Sequence, residues 1–110
     1  MWFVFPQMAG LGHSVMAQRY AITSPDEARA YLAHALLGPR LTEVTRLVLA
    51  VEGRSAHAIF GSPDDLKFRS SMTLFDALAP NDVFAAALKK YFDGERDLLT
   101  LAKLGPQSFI

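Results

Sequence analysis

The sequence predicts one compact all-α domain over residues 1–110, built from five to six short capped helices. Three observations carry this, of which the first two are that helix start and stop signals recur along the chain and that apolar residues repeat at helical spacing between them. The third is the missing period-two alternation. Only Trp2-Phe3-Val4-Phe5 approaches it, and Pro6 halts that run, so an extended segment laid on helices fits better than a sheet strand.

Ser24-Pro25-Asp26-Glu27 opens the first helix with an N-cap, a proline at the first helical position, and two acids facing the dipole. Ala28, Tyr31, Leu32, Ala35 and Leu36 follow at helical spacing, to an end at Gly38. Pro39 opens a second helix, in which Leu41, Val44, Leu47, Val48 and Val51 form one stripe up to Gly53. Ser55 to Phe60 makes one short turn, closed by Gly61. Ser62-Pro63-Asp64-Asp65 starts a longer helix, with Ser62 as its cap and Pro80 as its stop. Asn81 caps the next. There Val83, Phe84, Ala87, Leu88, Tyr91 and Phe92 share one face, opposite Asp82, Lys89, Lys90 and Asp93. Asp97 caps a last helix through Leu104, which Gly105-Pro106 closes.

Composition narrows the function classes. The 110 residues are 51% hydrophobic and 20% charged, with mean hydropathy +0.17, which excludes an intrinsically disordered chain. Eleven basic residues balance eleven acidic ones. That balance argues against a nucleic-acid clamp or a membrane-surface anchor, since both need a cationic excess. The absence of cysteine removes disulfides, thiolate zinc sites and cysteine nucleophiles. Met1 to Gln18 is free of charge, yet Pro6, Gln7, Gly10, Gly12 and His13 interrupt it. It makes neither a signal peptide nor a span, and the expected location is the cytoplasm. His13, His34 and His57 show no HExxH spacing, so no metal or cofactor is expected. His34 ends a helix, where a cation suits the dipole. Arg40 is expected in an ion pair.

The helix after Pro63 carries the most information. At about 100° per residue from Asp64, Phe75, Phe68 and Met72 fall at about 20°, 40° and 80°, with Leu78 and Leu74 closing the same arc. Lys67 and Ser71 fall inside it, so Asp64, Lys67 and Ser71 form a polar seam on the core face. Asp65, Arg69, Thr73 and Asp76 point outward on this wheel. Two readings of the seam stand: Lys67 pairs locally with Asp64 and Ser71 bonds backbone, or the seam lines a polar pocket. Trp2-Phe3-Val4-Phe5-Pro6-Gln7 likewise reads as core lining, or as an aromatic wall with Gln7 as a pocket donor and acceptor. Gly10-Leu11-Gly12 before Ser14 has the glycines of a phosphate cradle without its strand or its Lys-Ser/Thr pair, so Ser14 reads as an N-cap.

Trp2, Pro6-Gln7, Gly10-Leu11-Gly12, Gly38-Pro39-Arg40-Leu41, Ser62-Pro63-Asp64-Asp65-Leu66-Lys67 and Ser70-Ser71-Met72-Thr73-Leu74-Phe75 together resemble the DUF1810 family of uncharacterised bacterial proteins. The resemblance covers nearly the whole chain and implies an all-α, Rv1873-like fold. It brings no reaction, cofactor or substrate. Its motifs fall on Trp2, Pro6, Gln7, Ser14, Tyr20, Lys67, Ser71 and Thr73. It also implies a further helical segment upstream, so the chain is expected to be N-terminally truncated, with Trp2, Phe3 and Phe5 exposed and favouring self-association.

Two functions of different class follow. One is a pocket for a small polar or anionic, nucleotide-like ligand, with or without catalysis. In it Trp2 forms a wall, Gln7 and Ser71 orient the ligand, Tyr20 completes the lining, and Lys67 supplies charge. The other is a non-catalytic interaction module whose inward polar residues are purely structural. Neither involves nucleic acid or membrane.

Overall fold

The computed structural model describes residues 5–8 and 21–104. Its first helix, α1 (Pro25–Ala33), starts where the sequence signals it. Ser24 Oγ accepts from the Glu27 amide at 3.1 Å, and Glu27 reaches back to the Thr23 amide at 3.1 Å and to its hydroxyl. These reciprocal contacts satisfy donors that a helix start leaves open.

The junction to α2 (Leu37–Leu49) departs from the predicted boundary. α1 stops at Ala33 because His34 turns extended, and His34 Nδ1 accepts from the amides of Leu36 and Leu37 at 3.1 and 3.2 Å. The His34 side chain therefore does not cap the end of α1. It is an acceptor at the next helix start, and Leu37 rather than Pro39 opens α2. Pro39 sits in the first turn, where its missing N–H costs no helical bond. Along α2, Leu41 and Thr45 are buried, Val44 and Val48 half-buried, and Leu47 is exposed, which drops Leu47 from the predicted stripe. Arg40 is exposed.

α3 (Ala56–Phe60) is the predicted short turn, with Ser55 Oγ accepting from the Ala58 amide at 3.1 Å and Gly61 at φ 75° closing it. α4 (Asp64–Leu78) has the expected length but not the expected cap. Ser62 is exposed and supplies no side-chain cap. The carbonyls of Gly61 and Pro63 accept from Asp65 and Lys67, at 2.9 and 3.2 Å. α5 (Val83–Phe92) is capped by Asp82, whose Oδ1 accepts from the Val83 amide at 2.7 Å. Asn81, the expected cap, instead turns the chain at φ 63°, a left-handed conformation that asparagine tolerates. α6 (Leu98–Leu104) begins as predicted, with Asp97 Oδ2 accepting from the Thr100 amide at 3.0 Å.

α4 is the central element, packed on α1, α3, α5 and α6. Phe68, Met72, Leu74 and Phe75 are fully buried. The Phe68 ring meets Phe5 at 4.9 Å, Phe60 at 4.8 Å and Phe92 at 6.2 Å, the spacing of favourable aromatic pairs. The radius of gyration, 13.0 Å, is what a compact chain of this length adopts.

Residues 5–8 are extended. The Gln7 carbonyl accepts from the Ile22 amide at 2.8 Å, and Met8 makes an isolated parallel bridge to Ile22. No strand forms among the described residues. Phe5, expected to be exposed, is buried because Phe60 and Phe68 cover it edge-on. Trp2 and Phe3 lie outside the described residues. No described helix is long and apolar enough to cross a membrane.

Candidate functional site on the polar faces of α4

The predicted seam divides at the first turn of α4. Asp64 and Lys67 face each other at 3.6 Å, but their side chains are 43% and 36% exposed. Burial by the core begins at Phe68, so this pair stands at the rim and matches the local pairing of the structural reading. Ser71 is different. It is completely buried, and its Oγ has no hydrogen-bond partner. The other buried helical hydroxyls of α2 and α4 fold back on their own helix. Thr45 donates to the Leu41 carbonyl at 2.8 Å, Ser70 to Leu66 at 3.1 Å and Thr73 to Arg69 at 2.8 Å. Ser71 takes no such bond.

Gln7 is 9% exposed and belongs to the extended segment that lies on α4 through Phe5 and Phe68. Ser71 is one helical turn beyond Phe68. Gln7 and Ser71 thus both enter the interior, while Lys67 stays at the rim. Trp2, Tyr20, the Gly10-Leu11-Gly12 run, His13 and Ser14 lie outside the described residues. Ser71 has no base hydrogen-bonded to it among the described residues, so its hydroxyl suits recognition better than nucleophilic attack.

The face predicted to point outward is buried. Arg69 is only 25% exposed at its side chain, Thr73 is fully buried and Asp76 is 2% exposed, because α6 and the loop before it cover them. Arg96 donates to Asp76 Oδ2 from both Nε, at 3.1 Å, and Nη2, at 2.6 Å. Thr73 Oγ1 accepts from the Asp97 amide at 2.9 Å, and Arg69 stands 3.8 Å from Asp97 and over the Phe92 ring. Two atoms of this cluster, Asp76 Oδ1 and Arg69 Nε, are buried without a partner. A signal was present in the sequence: Arg69, Thr73 and Asp76 repeat at i, i+4, i+7, and Arg96-Asp97 supplies the complementary charges. The helical wheel missed it because polarity on one helix does not say what packs against it.

Beside this cluster a cleft of 380 Å³ is lined by Asp76, Ala77, Pro80, Arg96 and Leu101. A more open one, 470 Å³, lies where α1, α2 and the start of α5 meet, with Arg46 and Asp82 on its wall. His57 is exposed and 3.5 Å from Asp65. No group of three His, Asp or Glu side chains gathers for a metal ion among the described residues. Tyr31, packed near Phe75, has its phenol pushed up by burial, which the nearby Arg40 charge partly offsets.

A family model described as "Protein of unknown function (DUF1810)" matches residues 1–104. No curated protein matches the chain. Among solved structures, the conserved hypothetical protein Rv1873 from Mycobacterium tuberculosis is similar at 56% identity and a TM-score of 0.92, over 96% of this chain and 76% of that one. The all-α arrangement is therefore shared along nearly the whole chain.

Proposed function

The chain belongs to the DUF1810 family, whose description assigns no reaction, and from that premise we propose that it binds a small polar or anionic ligand beside α4. Gln7 and Ser71 orient that ligand, Lys67 supplies charge at the rim, and Trp2 and Tyr20 contribute from the N-terminal stretch. One observation carries the reading: the Ser71 hydroxyl is sealed in without a partner. Such a group costs about 1–3 kcal/mol, and nearly all buried polar groups find a partner. A bound ligand is the partner that offsets this cost.

The test is thermal melting against a panel of inorganic phosphate, nucleotides and sugar phosphates, because a compound that binds only the folded chain raises its Tm. A panel compound should raise the wild-type Tm. Ser71→Ala should leave the unliganded Tm unchanged or raise it, and abolish the ligand shift. Lys67→Met should keep the Tm and lose the shift with anions. A Ser71→Ala chain that melts several degrees lower, with no compound moving the wild type, overturns the reading. The alternative is a non-catalytic interaction module, favoured by the pairing of Lys67 within its own helical turn.

A further inference from the structure

The buried Asp76 and the half-exposed Arg96 form an ion pair with an uneven geometry. The guanidinium has five N–H groups in a fork that suits both oxygens of a carboxylate. Here Nε and Nη2 both converge on Oδ2, and Oδ1 is left without a partner although Asp76 is 2% exposed. Arg96 itself is half-exposed, and it has N–H groups beyond the two spent on Oδ2. The pair forms one end of the 380 Å³ cleft, and Ala77, Pro80 and Leu101 give the rest of that cleft apolar walls. The volume lies at the small end of the range for ligand pockets, roughly 300–1,000 Å³.

The chemistry of an occupant follows from these parts. Asp76 and Asp97 are balanced by Arg96 and Arg69, so the cleft carries no net charge with which to select an ion. It offers an acceptor, Asp76 Oδ1, beside the donors of Arg96. The complement is a neutral group with an N–H next to a carbonyl, on a flat body that fits between apolar side chains. We infer that the Asp76–Arg96 cleft between α4 and α6 binds a planar lactam, such as the six-membered ring of an oxopurine. The lactam N–H donates to Asp76 Oδ1 and its carbonyl accepts from Arg96. Oδ1 is buried, so the lactam reaches it only if the half-exposed Arg96 side chain tilts about its Oδ2 contact. Asp76 lies about 140° around α4 from Ser71, so this site is separate from the one proposed above.

Inosine serves as the probe, since its base presents N1–H beside O6, and 1-methylinosine is the control that lacks the donor. Each is titrated into the full chain while backbone amides and the Arg96 Nε–H are followed by NMR. Inosine should produce saturable shifts at Ala77, Arg96 and Leu101, and 1-methylinosine should bind at least tenfold more weakly. Leu101→Trp, which fills the cleft and leaves both members of the ion pair in place, should abolish the shifts. If that variant does not fold, Pro80→Trp, at an exposed residue of the same lining, takes its place. No saturable shift with inosine overturns the proposal, and so does equal binding of the methylated control. Shifts centred on Ser71 and Lys67 overturn it as well, while supporting the other site.

Discussion

At Gly38 the Leu32 carbonyl oxygen and carbon stand 2.0 and 2.9 Å from where a Cβ would be, and both atoms belong to backbone that cannot easily give way. The glycine is there because α2 starts against the last turns of α1, not because a left-handed turn is needed. In an ordinary helix interior, replacing glycine by alanine stabilises by about 0.5–1 kcal/mol. Gly38→Ala should do the opposite and destabilise by about 1–3 kcal/mol, the range of an overpacked core. Urea denaturation reads this directly. A variant as stable as the wild type would mean that the α1–α2 junction relaxes. The role of Gly38 was invisible in the sequence, where Gly38-Pro39 reads as a helix end followed by a helix start. Ser71 was legible as an inward residue from its place on the wheel, but its missing partner was not. Three neighbouring hydroxyls of the same kind bond back to their own helix, and only coordinates separate Ser71 from them.

Among the elements, each helix predicted within the described residues exists, and several of the ends that the sequence misplaced have caps that belong to a neighbour. His34 closes α1 and opens α2, while Lys90 and Tyr91 of α5 donate to the carbonyls of Val48 and Leu49 at the end of α2 and of Val51 just beyond it. Sequence spacing describes one helix at a time, so caps that reach across elements escape it. The start of α1 is local and was read correctly, and it carries a pH dependence. The Thr23 hydroxyl, and after it the Thr23 amide, hold the Glu27 carboxyl below its ordinary value, while slight burial acts the other way. A carboxyl lowered by folding stabilises fully above its unfolded value, about 4.3, and that contribution is lost as pH falls through the folded value. Glu27→Gln should therefore melt below the wild type at neutral pH, and the gap should close on acidification below that range. A gap that stays constant down to the acid limit would mean that the Thr23 contacts do not depend on the charge.

For the molecule as a whole, α4 is enclosed on most sides while α6 is attached chiefly to α4, with Leu98 and Leu99 exposed on its far side. The wheel for α4 placed its apolar face correctly and misjudged the polar one. Arg69, Thr73 and Asp76 are the surface on which α6 docks, and a short helix with two outward leucines gives little sign of where it will land. That arrangement predicts two levels of stability. α6 should open on its own while the Phe68 core stays folded, the behaviour of a peripheral cooperative unit. Amide hydrogen exchange in wild type should then show less protection in Leu101–Leu104 than in Phe68–Phe75. Two substitutions separate local opening from global unfolding. Thr73→Val removes the acceptor of the Asp97 amide, a loss of about 1–3 kcal/mol, and lowers protection in α6 and α4 alike, since both open states lack that contact. Phe68→Leu weakens only the core, by about 1–2 kcal/mol. It should lower protection in α4 by roughly tenfold, because about 1.4 kcal/mol is a factor of ten, and leave α6 unchanged. If Phe68→Leu lowers both helices equally, α6 unfolds only with the rest of the chain. The Asp76–Arg96 and Thr73–Asp97 contacts would then be part of one cooperative core.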